Sequence, residues 1–199
     1  MGIFDDAGGT PAVSWKGARK GTKITGVVLP TEQGKGYDEV QQRDYDTNDL
    51  LTYDNGDPRM QAVVLLKTEH RGWEFCSEAH VTKAEADPEM VDDGLRREYV
   101  YGKNAVAGVK TALRSVKAKD IMPGMVWTRE YAGSEPVPGG GKKTANVWVI
   151  TLSPPTPASQ AVVAAYIASK SEGGSLSTGD DGAPAGGADT PATDDEPPF

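Results

Sequence analysis

The strongest restriction on the fold comes from a series of short apolar segments separated by turn sequences. TKITGVVL within residues 22–31 alternates and is β-branched, and RMQAVVLLKTEH at 59–70 is the most hydrophobic segment. IMPGMVWTREY at 121–131 and ANVWVITL at 145–152 have the same character. Alternation over four to eight residues is typical of strands with one buried face. The sequence therefore predicts a mainly β domain.

The remaining segments give the order of the elements. Residues 37–53 are polar with spaced tyrosines and predict an exposed or irregular strand, which the Asn55-Gly56 turn joins to the third strand. Residues 73–81 are interpreted as an extension of that third strand. Apolar residues in 95–119 recur at roughly helical spacing, which predicts a helix. Five strands with one helix between strands 3 and 4 is the order of the OB-fold barrel, although other small barrels give a similar order.

Composition divides the chain into four parts. Residues 1–20 are a loose Gly-rich lead-in, 21–157 form the OB-fold domain, 158–170 form a short helix, and 171–199 form a disordered tail. The formal net charge is −8, and the tail carries seven of the 29 acids and none of the 21 Lys and Arg residues. The body is therefore nearly neutral, and the charge asymmetry indicates an interaction tail.

Several classes of protein are disfavoured. No run of 18 apolar residues and no apolar leader are present, and Cys76 is the only cysteine. We therefore expect a soluble cytoplasmic protein without a membrane partner or a disulfide framework.

Catalytic and metal motifs are weak. His70, Cys76 and His80 form H-x5-C-x3-H, which is a wider spacing than zinc sites use, and a strand-end histidine pair beside a half-buried thiol is the alternative. PVPGGGKKT lacks the glycine and hydroxyl positions of a phosphate-binding loop, and the carboxylates are scattered. We expect no enzyme activity and no cofactor, with a metal-dependent nuclease as the least favoured hypothesis.

Aromatic and basic residues on the predicted strands are candidates for binding single-stranded DNA. Such binding combines a positive groove with rings that stack on bases, at about 1–3 kcal/mol per base. The candidates lie on strands 2 to 4 and in the loop between strands 4 and 5: Tyr37, Arg43, Tyr45, Tyr53, Arg59, Lys67, Arg71, Trp73, Trp127, Arg129, Tyr131, Lys142 and Lys143. Burial of the tryptophans in the core and simple solvation of the lysines are the alternatives.

A second basic group lies in the predicted helix. Its members are Arg96, Arg97, Lys103, Lys110, Arg114 and Lys117. We interpret them as a solvated face, with an extension of the DNA path as the alternative.

The end of the chain resembles the C-terminal tip of bacterial single-stranded DNA-binding proteins. In that family an acidic run leads into Asp-Ile-Pro-Phe at the terminus. Here the matching residues, which would bind a partner, are Asp194, Asp195, Glu196, Pro197, Pro198 and Phe199. Pro197 departs from the family, because it stands where the family has isoleucine. The body resembles the single-stranded DNA-binding proteins of phages that infect actinobacteria. This resemblance lies in the order of the predicted elements and in the general character of the sequence.

The resemblance implies a function and its partners. The body would coat single-stranded DNA without strong sequence preference during replication, recombination or repair, and the tip would recruit DNA-processing enzymes. The Phe199 ring would enter an apolar pocket while its α-carboxylate meets a cation of the partner. The family also implies a homo-oligomer, located in the host cytoplasm if the chain is phage-encoded. The alternative is a small-barrel adaptor that docks on replication enzymes without binding DNA.

Overall fold

The structure, a computed structural model, describes residues 10–44, 47, 49–136 and 144–173. The described chain forms an antiparallel sheet of six strands with three helices, and the prediction of a mainly β protein is confirmed. The strands are β1 (Lys23–Val28), β2 (Asp38–Gln41), β3 (Met60–Thr68), β4 (Leu95–Val100), β5 (Val126–Pro136) and β6 (Thr144–Ser153). The helices are α1 (Glu78–Ala86), α2 (Gly102–Ser115) and α3 (Pro157–Gly173).

The strands follow a simple antiparallel order. β1 and β2 pair with successive halves of one edge of β3, and β4 pairs with the opposite edge. β1 also pairs with β5, which forms a long hairpin with β6. Within the described residues β4 and β6 do not pair with each other, so the sheet is not closed.

The core lies between the inner face of the sheet and α2. It is formed by alternate residues of the strands, by one side of the helix, and by two residues of the connection between α2 and β5: Val28, Val64, Leu66, Val100, Ala105, Val109, Ala112, Ile121, Met125, Trp127, Ile150 and Leu152. Helix and sheet approach closely at Gly108, because a Cβ atom there would lie 3.3 Å from Ile150 Cδ1. The close contact explains a glycine within a helix, where it otherwise costs stability.

The prediction of a helix over residues 95–119 is wrong for its first six residues. Residues 95–100 form β4, and the helix begins at Gly102, whose φ of +77° suits glycine. In β4 the buried positions include Arg96 and Glu98 rather than apolar residues. Two buried charges therefore hid the alternation that marks a strand. The sheet has six strands rather than five, and α2 lies between the fourth and fifth.

Residues 73–81 do not extend the third strand. After β3 the chain turns, and Trp73 and Phe75 adopt left-handed backbone angles with φ of 65° and 61°. Such angles are uncommon for bulky residues and interrupt a strand. The segment then enters α1.

The predicted loose lead-in is partly ordered by β4. The backbone N–H of Arg97 donates to the carbonyl of Pro11 at 2.7 Å, and that of Val13 donates to the carbonyl of Arg97 at 2.8 Å. The backbone N–H of Ser14 donates to the carbonyl of Phe75 at 2.6 Å. Residues 10–14 therefore cover the edge of β4 that β6 leaves unpaired.

The helix predicted at 158–170 corresponds to α3. Its first turn is tied to the body by Ser159, which is buried and whose hydroxyl donates to the carbonyl of Gly124 at 2.6 Å. Across the described ranges, no helix has the length and apolar character needed to cross a membrane. The predicted disordered tail lies almost wholly outside the described residues.

Candidate functional site

Five partly exposed rings form a continuous row at the open side of the sheet. The ring centroids of His70 and Phe75 are 4.9 Å apart, and Phe75 lies 6.2 Å from Trp15. Trp15 lies 4.9 Å from Trp148, which lies 5.1 Å from Tyr131. We call these five residues the aromatic row. It joins the N-terminal segment and the turn after β3 to the β5–β6 hairpin.

A buried cation supports the centre of the aromatic row. The guanidinium of Arg129 lies 4.0 Å from the ring centroid of Trp148 and 5.4 Å from that of Trp15. Arg129 also donates to the buried Glu98 carboxylate, and to the carbonyl of Tyr99 at 3.2 Å. Burial raises the pKa of Glu98, and the charge of Arg129 opposes that shift. The row is therefore anchored from below by an ion pair between β5 and β4.

Exposed cations flank the row. Arg19 and Lys20 lie in the turn between Trp15 and β1, and both are exposed. Lys23, the first residue of β1, is also exposed, but it pairs with Glu130 and so lies on the outer face of the sheet, opposite to Tyr131. Backbone hydrogen bonds of 2.8 and 2.9 Å tie Thr22 and its neighbour Gly21 to Tyr131. Rings and positive charge are thus adjacent, as binding of single-stranded nucleic acid requires.

The structure corrects the prediction for two residues of β5. Trp127, Arg129 and Tyr131 do share one face, but this is the inner face of the sheet. Trp127 is 0% exposed within the core and Arg129 is 5% exposed in its ion pair. Neither side chain can contact DNA, because the alternation that groups them also buries them. Tyr131 alone lies in the aromatic row.

The described candidates at the β2–β3 connection are Arg43, Tyr53 and Arg59. They lie in a hairpin segment, residues 42–59, whose described part contains the antiparallel bridges Arg43–Leu50 and Thr52–Pro58, and we call this segment the arm. The Arg59 guanidinium lies 5.2 Å from the Tyr53 ring centroid, and Tyr53 is 55% exposed. Arg43 forms an isolated bridge with Leu50. The arm also contains Asp44, Asp46, Asp49, Asp54 and Asp57 against two arginines. Its negative charge disfavours contact with phosphate.

Three other candidates are engaged within the protein. The Tyr37 hydroxyl lies 3.5 Å from Asp120 Oδ2, and burial, with Asp120, raises the pKa of Tyr37. Lys67 Nζ donates to the carbonyl of Asp93 at 2.5 Å. Arg71 donates to the carbonyls of Thr68 and His70, at 2.7 and 2.8 Å. Of the three, only Arg71 reaches the aromatic row, where its guanidinium binds the backbone carbonyl of His70.

Of the remaining candidates, the structure describes Trp73, and the others lie outside the described residues. Trp73 is partly buried, and its ring lies 5.6 Å from that of His80. The predicted residues outside the described ranges are Tyr45, Lys142, Lys143 and the tip Asp194–Phe199. The β5–β6 hairpin leads into the loop that holds the two lysines.

The three residues considered for a metal site have other surroundings. His70 Nδ1 lies 3.3 Å from Glu74 Oε2, and His80 is buried. Burial raises the pKa of Cys76 to about 11, which makes the thiol a poor ligand and nucleophile at neutral pH. Among the described residues, no group of three or more His, Cys, Asp or Glu side chains could hold a metal ion.

Of the five rings of the aromatic row, the sequence identified only Tyr131 as a candidate for binding DNA. Trp15 lies in the segment predicted as a loose lead-in, and Phe75 lies in the segment predicted to extend the third strand. Trp15 and the run Arg19-Lys20 occur within 20 residues of the start, so an aromatic residue close to cations was the available signal. Only the pairing of residues 10–14 with β4 shows that this segment belongs to the domain.

Comparison with protein-family models, with curated proteins and with solved structures finds no match.

Proposed function

We propose that the protein binds single-stranded DNA without strong sequence preference. The observation that carries the proposal is the aromatic row, which lies close to two exposed cations, Arg19 and Lys20. Rings of this kind stack on bases of any sequence, and the cations attract the phosphates. The binding supports replication, recombination or repair, and it includes no catalytic step.

We further propose that the body is an OB-type barrel. If β1 and β2 are counted as one broken strand, the sheet order is β4, β3, β1/β2, β5 and β6, with α2 before β5. This order is that of the OB-fold, in which the first and last elements of the series meet. Residues 10–14 and the Arg129–Glu98 pair fill the space where those strands would join. In this scheme the connection between β5 and β6 is one of the ligand-binding loops.

Tyr131 offers the sharpest test of DNA binding. We expect Tyr131→Leu to weaken binding of a labelled oligo-dT about 5- to 150-fold, since one stacked base is lost. The measurement is a fluorescence titration at two salt concentrations. The wild-type protein should bind saturably, lose affinity steeply with salt, and show quenching of tryptophan fluorescence.

Tyr166 provides the matched control. It is a partly buried tyrosine on α3, outside the aromatic row. Tyr166→Leu should leave oligo-dT affinity unchanged. Equal effects of the two substitutions, or no binding by the wild-type protein at low micromolar concentration and modest salt, would contradict the proposal.

The recruitment role of the tip rests on the family resemblance and is tested separately. Deletion of Phe199 alone removes the terminal ring and moves the α-carboxylate to Pro198. We expect the truncated chain to keep its oligo-dT affinity and to lose binding to replication or repair enzymes in affinity chromatography. Unchanged enzyme binding would remove this part of the proposal.

The acidic arm favours a second candidate function. Leu50 and Tyr53 are 51% and 55% exposed on a hairpin with five aspartates, which suits a protein partner better than DNA. Under this alternative the chain is an adaptor that docks on replication enzymes. Absence of oligo-dT binding in the titration above would favour it.

A further inference from the structure

The outer side of α2 carries a one-sided row of cations. Lys103, Lys110 and Arg114 lie on α2 and Lys117 follows it, at spacings of seven, four and three residues. At 3.6 residues per turn the first two spacings bring Lys103, Lys110 and Arg114 to one side of the helix, and Lys117, whose φ is +55°, follows the C-terminal end of α2. We call these four residues the basic stripe. The helix contains no acidic residue that would neutralise it.

The basic stripe is exposed and lies next to an apolar pocket. All four residues are exposed, and none takes part in an ion pair within the described ranges. Lys110 lines a cavity of about 300 Å³ whose apolar lining includes Met60, Val106, Leu113 and Ile121. The surface therefore suits an occupant with both carboxylates and apolar side chains.

The arm of the same protein has this composition. Three of its four described aspartates, Asp49, Asp54 and Asp57, are exposed, as are Leu50 and Tyr53. Backbone hydrogen bonds of 2.7–3.0 Å within residues 42–59 hold the hairpin together. A preformed hairpin loses little conformational entropy when it binds.

Residues next to the arm and residues of α2 line the same pocket. Glu39 and Met60 flank the arm in the chain and line the pocket together with Lys110 of the basic stripe. No described residue of the arm lines its own pocket. We propose that the arm of one copy docks on the basic stripe and pocket of a second copy. The contact can occur twice across a twofold axis, which doubles the buried area and closes the assembly.

DNA fits this surface less well than the arm does. α2 itself carries no aromatic residue on which a base could stack. The ring in the adjoining pocket, Tyr37, lies with its hydroxyl 3.5 Å from Asp120 Oδ2, and Glu39 adds a second carboxylate there. Phosphate contacts alone would leave the apolar part of the surface uncovered. DNA and the acidic tail of the chain are therefore the alternative occupants of this surface, and the experiment below distinguishes them from the arm of a second copy.

Charge reversal tests the proposal with the full chain in the absence of DNA. The arm variant is Asp49→Lys/Asp54→Lys/Asp57→Lys, and the helix variant is Lys103→Glu/Lys110→Glu/Arg114→Glu. Sedimentation velocity should show a salt-sensitive dimer for the wild-type protein, and self-association about tenfold or more weaker for each variant. An equimolar mixture of the two variants should recover a dimer, since every arm then meets a stripe of opposite charge.

A third reversal controls for net charge and folding. Glu85→Lys/Asp87→Lys/Glu89→Lys changes the charge by the same amount as the arm variant, at exposed positions in and after α1, and should leave the dimer intact. The proposal is overturned by a monomeric wild-type protein, by variants that still dimerise, or by a mixture that stays monomeric. It is also overturned if deletion of residues 174–199 alone abolishes the dimer, or if the helix variant chiefly loses oligo-dT affinity.

Discussion

Asp92→Ala is expected to lower the free energy of unfolding by about 3–5 kcal/mol, because it leaves a buried cation without its partner. Arg96 is 0% exposed, and its two terminal nitrogens donate to Asp92 at 2.8 and 2.7 Å. Asp92 also accepts the backbone N–H groups of Gly94 at 2.8 Å and Trp73 at 3.2 Å. Removal of one carboxylate therefore leaves four donors without their acceptor.

The effect should depend on pH in a defined direction. Burial alone would raise the pKa of Asp92, but the hydrogen bonds from Arg96, Gly94 and Trp73 hold it well below its usual range. A lowered pKa in the folded state contributes stability that is present above the unfolded value of about 3.9 and is lost as pH falls below it. The difference between the wild-type protein and the variant should be constant above about pH 5 and shrink in more acidic solution.

Urea unfolding followed by circular dichroism measures this difference. Asp93→Ala is the control, because Asp93 is exposed and its carboxylate accepts only the 2.8 Å bond from the N–H of Leu95. We expect the control to lose about 1 kcal/mol or less. Equal losses for the two variants would show that the buried ion pair does not supply the stability.

The same pair of charges explains where sequence reasoning reached its limit. Strands β1, β3, β5 and β6 were recognisable because apolar residues occupy their buried positions. In β4 the buried positions hold Arg96 and Glu98 as well as Val100, so the apolar alternation is missing. Their partners, Asp92 and Arg129, lie four and 31 residues away, and only tertiary structure shows that these charges are satisfied.

The candidate site was only partly predictable for a related reason. A strand periodicity of two groups side chains on a face but does not say which face is buried. Trp127 and Tyr131 share a face, yet one lies in the core and the other in the aromatic row, nearer the loop at the end of the hairpin. Trp15 and Phe75 belong to segments without periodicity. Their place follows from backbone bonds between residues 10–14 and two distant segments.

The Arg129–Glu98 pair connects β5 with β4, the strand at one end of the open sheet, and its loss should be as costly as that of the Arg96–Asp92 pair. Glu98 is 1% exposed, and Glu98→Ala leaves the Arg129 guanidinium buried against Trp148 and Trp15 without a carboxylate. We expect a loss of about 3–5 kcal/mol in the free energy of unfolding, measured by urea titration. Because the guanidinium lies against both tryptophans, their fluorescence should change as well.

A double substitution distinguishes two contributions to the free energy of unfolding. One is the cost of leaving a single buried charge without its partner, and the other is the net contribution of the ion pair. Glu98→Leu/Arg129→Met replaces both buried charges with apolar side chains, and such replacements are often neutral or stabilising. We therefore expect the double variant to be more stable than Glu98→Ala, although it lacks the whole ion pair. If the double variant is as unstable as the single one, the pair itself joins β4 to β5. If the double variant recovers stability, apolar side chains are sufficient to pack the open side of the sheet. The charge of Arg129 then serves to hold the aromatic row in position. Under that second outcome, oligo-dT affinity should fall in the double variant while its stability does not.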